Sequence, residues 1–137
     1  MTKKAFTLIE LLVVIAIIGL IAAIVLISVK NIKQKSRDAR RVSDIKSIQE
    51  GLSLYNIDAR IFPVYDGYLT GSDNMSQALV SADSMQAVPI DPLNAEVDGV
   101  IYKYYYQSVN GSVYLLKYYL ETNSINGRSK GLNTASP

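Results

Sequence analysis

The first part of the chain is dominated by one long apolar run. Between Leu11 and Val29 only Gly19 and Ser28 are not plainly apolar, and Phe6 lies just upstream. A helix needs about 20 apolar residues to cross a hydrocarbon core of roughly 30 Å, so this run has the length of a membrane span. It is too long for a secretory signal peptide, whose apolar core is about 7–15 residues.

A helical pattern continues beyond the apolar run. The first proline is Pro63, which with Ile61 and Phe62 ends the pattern, so the chain predicts one helix from residue 6 to about residue 58. Its first half, residues 6–29, is uniformly apolar, and its second half, residues 30–60, is amphipathic. One apolar stripe recurs there at steps of three or four residues: Val42, Ile45, Ile48, Leu52 and Tyr55. The stripe predicts that this half packs on a C-terminal domain.

The rest of the chain predicts a small antiparallel sheet, and hence an α+β fold. Residues 61–99 form a connecting region with one short helix near residues 75–81, capped within residues 72–74. Residues 100–109 and 112–121 are rich in Tyr, Val, Leu and Ile and flank Asn110-Gly111, which favours a type I′ hairpin turn. Residues 122–137 predict a turn, a short edge strand and a tail.

A two-residue turn also sets the pairing of this predicted hairpin, residues 100–121. It places Tyr105 opposite Leu116 and Ile101 opposite Leu120, and we expect this face to cover the helix. The other face would carry the tyrosines Tyr102, Tyr104, Tyr106 and Tyr119. Such a row could serve subunit contact or ligand stacking, although strand propensity and cross-strand packing explain it as well.

Composition excludes several classes of function. The chain has no Cys and no His, which excludes disulfides, zinc sites with these ligands and Ser-His or Cys-His catalysis. We therefore expect no catalytic residues, no cofactor and no enzymatic activity. The charge is uneven, because residues 30–60 hold eight Lys/Arg against four Asp/Glu, whereas residues 61–137 hold four against seven.

Glu10 is the one acid close to the apolar run. A carboxylate within the hydrocarbon costs about 2.5–3.5 kcal/mol at mid-helix, so it needs compensation. The start of the chain resembles the N-terminus of the type IV pilin superfamily, which includes the pseudopilins of type II secretion. The matching residues are Lys3, Lys4, Phe6, Thr7, Leu8, Ile9, Glu10 and Leu11.

The resemblance implies processing. A prepilin peptidase would remove a leader, residues 1–5, by cutting between Ala5 and Phe6, and the new amine of Phe6 would be N-methylated. Ala5 departs from the glycine that is usual before the cut. Many pilins also have a proline in the membrane segment, where the helix can melt during assembly; here unwinding would have to start at Gly19.

Burial suggests a role for Glu10 and Phe6. In a bundle of identical subunits, Glu10 of one could pair with the Phe6 amine of its neighbour, relieving two buried charges and fixing the axial register. An intramolecular contact at the first helical turn is an alternative. A second alternative is that the chain is only a membrane anchor, in which Glu10 is tolerated at the level of the lipid headgroups.

The residues suggest two further candidate ligands, a metal ion and nucleic acid. The oxygen-bearing cluster Asp91, Asn94, Glu96 and Asp98 lacks the bidentate Glu of a calcium loop and predicts a turn instead. The basic run from Lys30 to Arg41 could contact nucleic acid, but its place on the helix favours an assembly or membrane-surface role.

These observations favour a structural subunit that polymerises into a type IV pilus-like or pseudopilus filament. We expect it in the cytoplasmic (inner) membrane with its C-terminal domain extracytoplasmic, and then in an extracellular or periplasmic filament, although the basic run after the span would by itself place that domain in the cytoplasm. The resemblance implies an assembly ATPase and a platform protein as partners. The alternatives are a single-pass anchored binding module and a minor tip pilin for adhesion or DNA uptake.

Overall fold

The computed structural model describes residues 7–137, and the α+β prediction is confirmed. The chain divides into two compact units, Met1–Gln34 and Lys35–Pro137, and we call the second the head. Helix α1, Leu8–Ala59, begins in the first unit and ends in the second. Its last turn is followed by Arg60 in the left-handed conformation, with φ of 62°. Because Pro63 follows so closely, the helix cannot resume.

The head contains a four-stranded antiparallel sheet and a separate hairpin. The sheet strands are β1 (Tyr65–Tyr68), β4 (Tyr105–Ser108), β5 (Leu115–Leu120) and β6 (Gly131–Ala135), in the order β1-β4-β5-β6. The hairpin pairs β2 (Ala95–Val97) with β3 (Val100–Tyr102). A short helix, α2 (Asn74–Ser81), lies between β1 and β2 and is capped by Asp73, as predicted.

The predicted apolar stripe on α1 forms one side of the head's core. Ile45, Ile48 and Leu52 are buried, and Val42 and Tyr55 pack at the edge of the same cluster. The sheet supplies the other side through alternate residues, since successive side chains of a strand point to opposite faces: Tyr104, Tyr106, Leu116, Tyr118 and Leu120. The amphipathic interpretation of residues 42–55 is thus confirmed.

The predicted register of the hairpin is wrong by one residue. Tyr105 pairs with Lys117 and Tyr106 with Leu116, whereas we expected Tyr105 opposite Leu116. A slip of one residue moves every side chain of a strand to the other face. Tyr104 and Tyr106 are therefore buried in the core, and Tyr105 lies on the outer face with Tyr119. The predicted pairing of Ile101 with Leu120 is also wrong, because Ile101 belongs to the separate β2–β3 hairpin and pairs with Glu96.

The slip follows from the turn. Asn110 does not take the positive φ that a type I′ turn requires, and β4 and β5 are joined by a six-residue loop, residues 109–114, instead of two residues. The type I′ pair is Asp98-Gly99, with φ of 51° and 74°, between β2 and β3. Residues 61–99 thus contain two strands that the sequence pattern did not indicate, β1 and β2.

Gly111 anchors this loop against the end of α1. Its φ is +74°, its carbonyl accepts a 2.8 Å hydrogen bond from Phe62 N, and an added Cβ would lie 2.9 Å from Phe62 O. We expect Gly111→Ala to lower the free energy of unfolding by about 2–3 kcal/mol, combining a positive-φ penalty with a backbone clash.

Urea titration of the full chain would measure this loss. Gly127→Ala is the matched control, because Gly127 has the same φ of +74° but nothing within 4 Å of an added Cβ. It should cost only about 1 kcal/mol. Equal losses in the two variants would show that the contact with Phe62 contributes nothing.

Candidate functional site

The N-terminal half of α1 exposes its apolar side chains on every side. Every residue from Leu8 to Val29 is exposed, including the large aliphatic ones, and between these two residues the helix has no polar stripe. A helix that is apolar all round belongs in lipid or among other apolar helices. By length and composition, α1 has one stretch apolar enough to cross a membrane.

Glu10 closes the start of this helix through a capping box. Its Oε2 atom accepts hydrogen bonds from Thr7 N at 2.8 Å and from Thr7 Oγ1 at 2.7 Å, and Glu10 N donates to Thr7 Oγ1 at 3.2 Å. This reciprocal Thr-x-x-Glu arrangement satisfies amide groups that a helix start leaves without partners. The carboxylate therefore already has an intramolecular role within one subunit.

The other predicted site residues fall into two groups. Ala5 and Phe6, the predicted processing residues, lie outside the described residues. Gly19 lies within α1, which continues through it as regular helix, and an added Cβ there would meet nothing within 4 Å. A glycine weakens a helix by about 1 kcal/mol relative to alanine, so Gly19 is a weak point without a packing role in a single subunit.

A second cluster of charges lies in the head, where α1 meets the sheet. Arg41 is its centre and is completely buried. Its Nε and Nη2 atoms donate to the two carboxylate oxygens of Asp91 at 2.6 and 3.0 Å, and its Nη1 donates to Asp38 at 2.9 Å and to Glu121 at 2.7 Å. Its guanidinium also lies 4.9 Å from the ring centroid of Tyr102.

We define the Arg41 cluster as Arg37, Asp38, Arg41, Asp91 and Glu121. Arg37 makes a bidentate contact with Glu121, at 2.7 and 2.6 Å. Asp38 accepts from the backbone amides of Glu121 and Thr122 at 2.9 and 2.8 Å. The cluster thereby ties the end of β5 and the loop at Asp91 to one turn of α1.

The electrostatics of the cluster favour its ionised form. Burial raises the pKa of the Glu121 carboxyl, but hydrogen bonds from Arg37 and Arg41 outweigh burial, so its pKa lies below the usual value. Burial lowers the pKa of Arg41, and the hydrogen bonds to Asp91 and Glu121 more than restore it. Asp44 lies outside the cluster, and burial raises its pKa despite a hydrogen bond from Tyr104.

The cluster changes the picture of the basic run. We expected an assembly or membrane-surface role for the run from Lys30 to Arg41, but Arg41 is completely buried in the head, and Arg37 is paired with Glu121. Two of the six basic residues from Lys30 to Arg41 are thus engaged with internal carboxylates. Asp91, from the oxygen-bearing cluster, binds Arg41, and among residues 7–137 no group of carboxylates is arranged to hold a metal ion.

Sequence reasoning offered an intramolecular contact of Glu10 at the first helical turn but did not identify Thr7 as its partner, and it missed the Arg41 cluster. The capping box had a visible signal, since Thr7 precedes Glu10 by three residues. The Arg41 cluster had none, because Asp91 and Glu121 are 50 and 80 residues from Arg41.

Comparison with known proteins shows a family motif in the N-terminal segment. Residues 1–26 match the family described as the prokaryotic N-terminal methylation motif. This motif is the signature of type IV pilins and pseudopilins, so the predicted resemblance is confirmed over these residues. No curated protein and no solved structure matches the chain. Together, the motif and the apolar helix indicate a membrane-anchored, pilin-like protein.

Proposed function

We propose that this chain is a pilin or pseudopilin subunit that polymerises through its apolar helix into a helical filament. The observation that carries the proposal is the methylation motif at residues 1–26, placed at the start of a helix whose apolar side chains are exposed all round. The role is structural and not enzymatic. A prepilin peptidase, an assembly ATPase and a platform protein would act on the chain.

Two environments suit the apolar half of α1 in turn. Before assembly it lies in the cytoplasmic membrane, with the head on the extracytoplasmic side. During assembly the helices of many subunits pack together, so side chains that faced lipid now face each other. Between such helices no hydrophobic gain remains, and specific polar contacts set the register.

Glu10 is the polar contact that we assign to assembly. Once residues 1–5 are removed, Phe6 carries a positively charged amine one residue before Thr7. In a filament this amine and the Glu10 carboxylate of a neighbour lie away from water, and pairing removes both penalties. The capping box holds Glu10 at the helix start until that partner arrives.

The Arg41 cluster supports the same function from the head. The cluster joins α1 to the strand end at Glu121 and to the loop at Asp91 without a disulfide, since the chain has no cysteine. A subunit pulled through its helix would transmit that load to the sheet through these charge-assisted hydrogen bonds.

The test is intact-mass analysis of filaments sheared from cells and viewed by electron microscopy. We expect filaments that contain this chain without residues 1–5 and with one added methyl group. A full-length chain in the filaments would contradict the cut between Ala5 and Phe6. A tag at the C-terminus that is reached only from the cytoplasm would contradict the topology, and with it the proposal.

A further inference from the structure

The outer face of the sheet carries a groove that filament assembly does not use in the proposal above. The groove has a volume of about 320 Å³ and lies between the β2–β3 hairpin and strands β1, β4, β5 and β6. Six of its lining residues define its chemistry: Tyr68, Tyr105, Tyr119, Lys103, Lys117 and Ile101. We call it the tyrosine–lysine groove.

Cross-strand pairing builds a row of rings and ammonium groups. Tyr68 pairs with Tyr105 and Tyr105 with Lys117, so the three lie side by side on neighbouring strands. The rings of Tyr68 and Tyr105 meet edge to face at 5.1 Å, and Lys117 Nζ lies 5.0 Å from the ring centroid of Tyr105. Lys103 Nζ lies 6.0 Å from the Tyr68 ring.

One ring of the row is fixed by neighbours on the same face of the sheet. The Tyr105 hydroxyl donates to Asp66 at 2.5 Å, and Gln107 donates to the other oxygen of Asp66 at 3.2 Å. Tyr105 therefore does not need to reorganise when a ligand arrives, and preorganisation of this kind lowers the cost of binding.

The groove is cationic although its surroundings are acidic. Its lining contains two lysines and no carboxylate, whereas residues 61–137 as a whole hold seven Asp/Glu against four Lys/Arg. Two of the four basic residues of that region thus converge on one concave site. Such a site suits a ligand with a flat apolar face and a small number of negative charges.

We propose that the tyrosine–lysine groove binds an acidic sugar unit of a polysaccharide, with a carboxylate on Lys117 and Lys103. The C–H face of a pyranose ring packs on a tyrosine ring, and the carboxylate forms charge-assisted hydrogen bonds with the lysines. The volume lies at the lower end of the range of about 300–1,000 Å³ for ligand pockets, which suits one or two sugar rings.

Single-stranded nucleic acid is the rival ligand, because bases also stack on aromatic rings. Such binding uses a basic groove that follows the backbone over several phosphates. Here the positive charge ends after two lysines, and Asp66 lies next to Tyr105. A sugar with sparse charges fits this distribution better than a strand with one phosphate per nucleotide.

The proposal is tested by titrating the full chain in detergent with trigalacturonate. Binding is measured by calorimetry or by tyrosine fluorescence, which is not masked by tryptophan because the chain has none. We expect Lys117→Gln to weaken binding about tenfold through the lost charge-assisted hydrogen bond. The methyl ester of the same sugar should bind wild type and variant equally weakly. Lys130→Gln is the matched control, because Lys130 is exposed and outside the groove.

Three results would overturn the proposal. The first is no binding of trigalacturonate at about 1 mM, which corresponds to a binding free energy weaker than about −4 kcal/mol. The second is an equal loss in Lys130→Gln, which would mean that only net charge matters. The third is tighter binding of oligothymidylate with the same dependence on Lys117, which would make the groove a nucleic-acid site. Filament formation by Lys117→Gln should be normal, so failure here leaves the proposed function intact.

Discussion

Replacing Glu10 by alanine is expected to abolish filaments and leave the chain in the membrane. The apolar run that inserts into lipid is unchanged, so insertion persists. Removing one partner of a buried ion pair costs about 3–5 kcal/mol, because the other charge stays buried without compensation. At about 1.4 kcal/mol per factor of ten, each subunit would lose more than about a hundredfold in affinity for the filament.

A second substitution separates the two roles of Glu10. Thr7→Ala removes the threonine oxygen of the capping box and leaves the Glu10 carboxylate in place. Loss of a helix cap costs only about 1 kcal/mol. If pairing with a neighbour's Phe6 amine is the essential role, Thr7→Ala still forms filaments; if the cap is essential, it behaves like Glu10→Ala.

Glu50→Ala is the matched control, because it removes the same charge from a different position on α1. Glu50 is exposed and its nearest cation, Lys46, is 3.9 Å away, so its removal should not affect assembly. Membrane fractionation and electron microscopy of sheared material give the two readouts. Normal filaments from Glu10→Ala would remove Glu10 from the assembly mechanism.

Replacing Arg41 by methionine is expected to destabilise the head by about 3–5 kcal/mol. Methionine keeps much of the volume but leaves Asp38, Asp91 and Glu121 without their common cation. A loss of this size is a large part of the about 5–15 kcal/mol that typically stabilises a domain. Arg41→Lys should be intermediate, because an ammonium cannot reproduce the bidentate contact with Asp91.

Urea unfolding of the full chain in detergent, followed by near-ultraviolet circular dichroism of the tyrosines, would measure this effect. Arg40→Met is the matched control on the next residue. The Arg40 side chain is 65% exposed, and its contact with Asp44 is long, at 3.8 Å. Its loss should therefore change the free energy of unfolding by less than about 1 kcal/mol. Similar losses for Arg40 and Arg41 would contradict the central role of the buried guanidinium.

Acid should narrow the gap between wild type and Arg41→Met. The folded-state pKa of Glu121 is lowered, so its contribution to stability is present above the ordinary glutamate pKa of 4.5 and is lost as pH falls through the folded value. The variant lacks part of this contribution at neutral pH and so has less to lose. A gap that is constant down to low pH would assign the loss to packing instead of charge.

The helical part of the protein could be predicted from local patterns. The stripe from Val42 to Tyr55 repeats at the helical period and the sheet covers it, as expected. Asp73 caps α2, as its position just before the helix predicted. These predictions succeed because a helix forms hydrogen bonds within four residues and its packed face follows from spacing alone.

The sheet was harder to predict because strands are paired by distant residues. Asn110-Gly111 had the composition of a type I′ turn, but the contact of Gly111 with Phe62 belongs to a longer loop and moved the register by one residue. Because of that shift, Tyr104 and Tyr106 lie in the core and Tyr105 does not. It also created the outer row of Tyr68, Tyr105 and Lys117, which no local pattern contains.

By itself, the sequence determined the membrane-length helix, the methylation motif and the acid at position 10, because each depends on the order of neighbouring residues. Only the tertiary structure decided that Arg41 is a buried hub and that two lysines converge on a tyrosine-lined groove. Both depend on residues that are far apart in the chain and meet through strand pairing. A charge has no fixed role in the sequence, since its partners decide whether it is solvated, buried or available to a ligand.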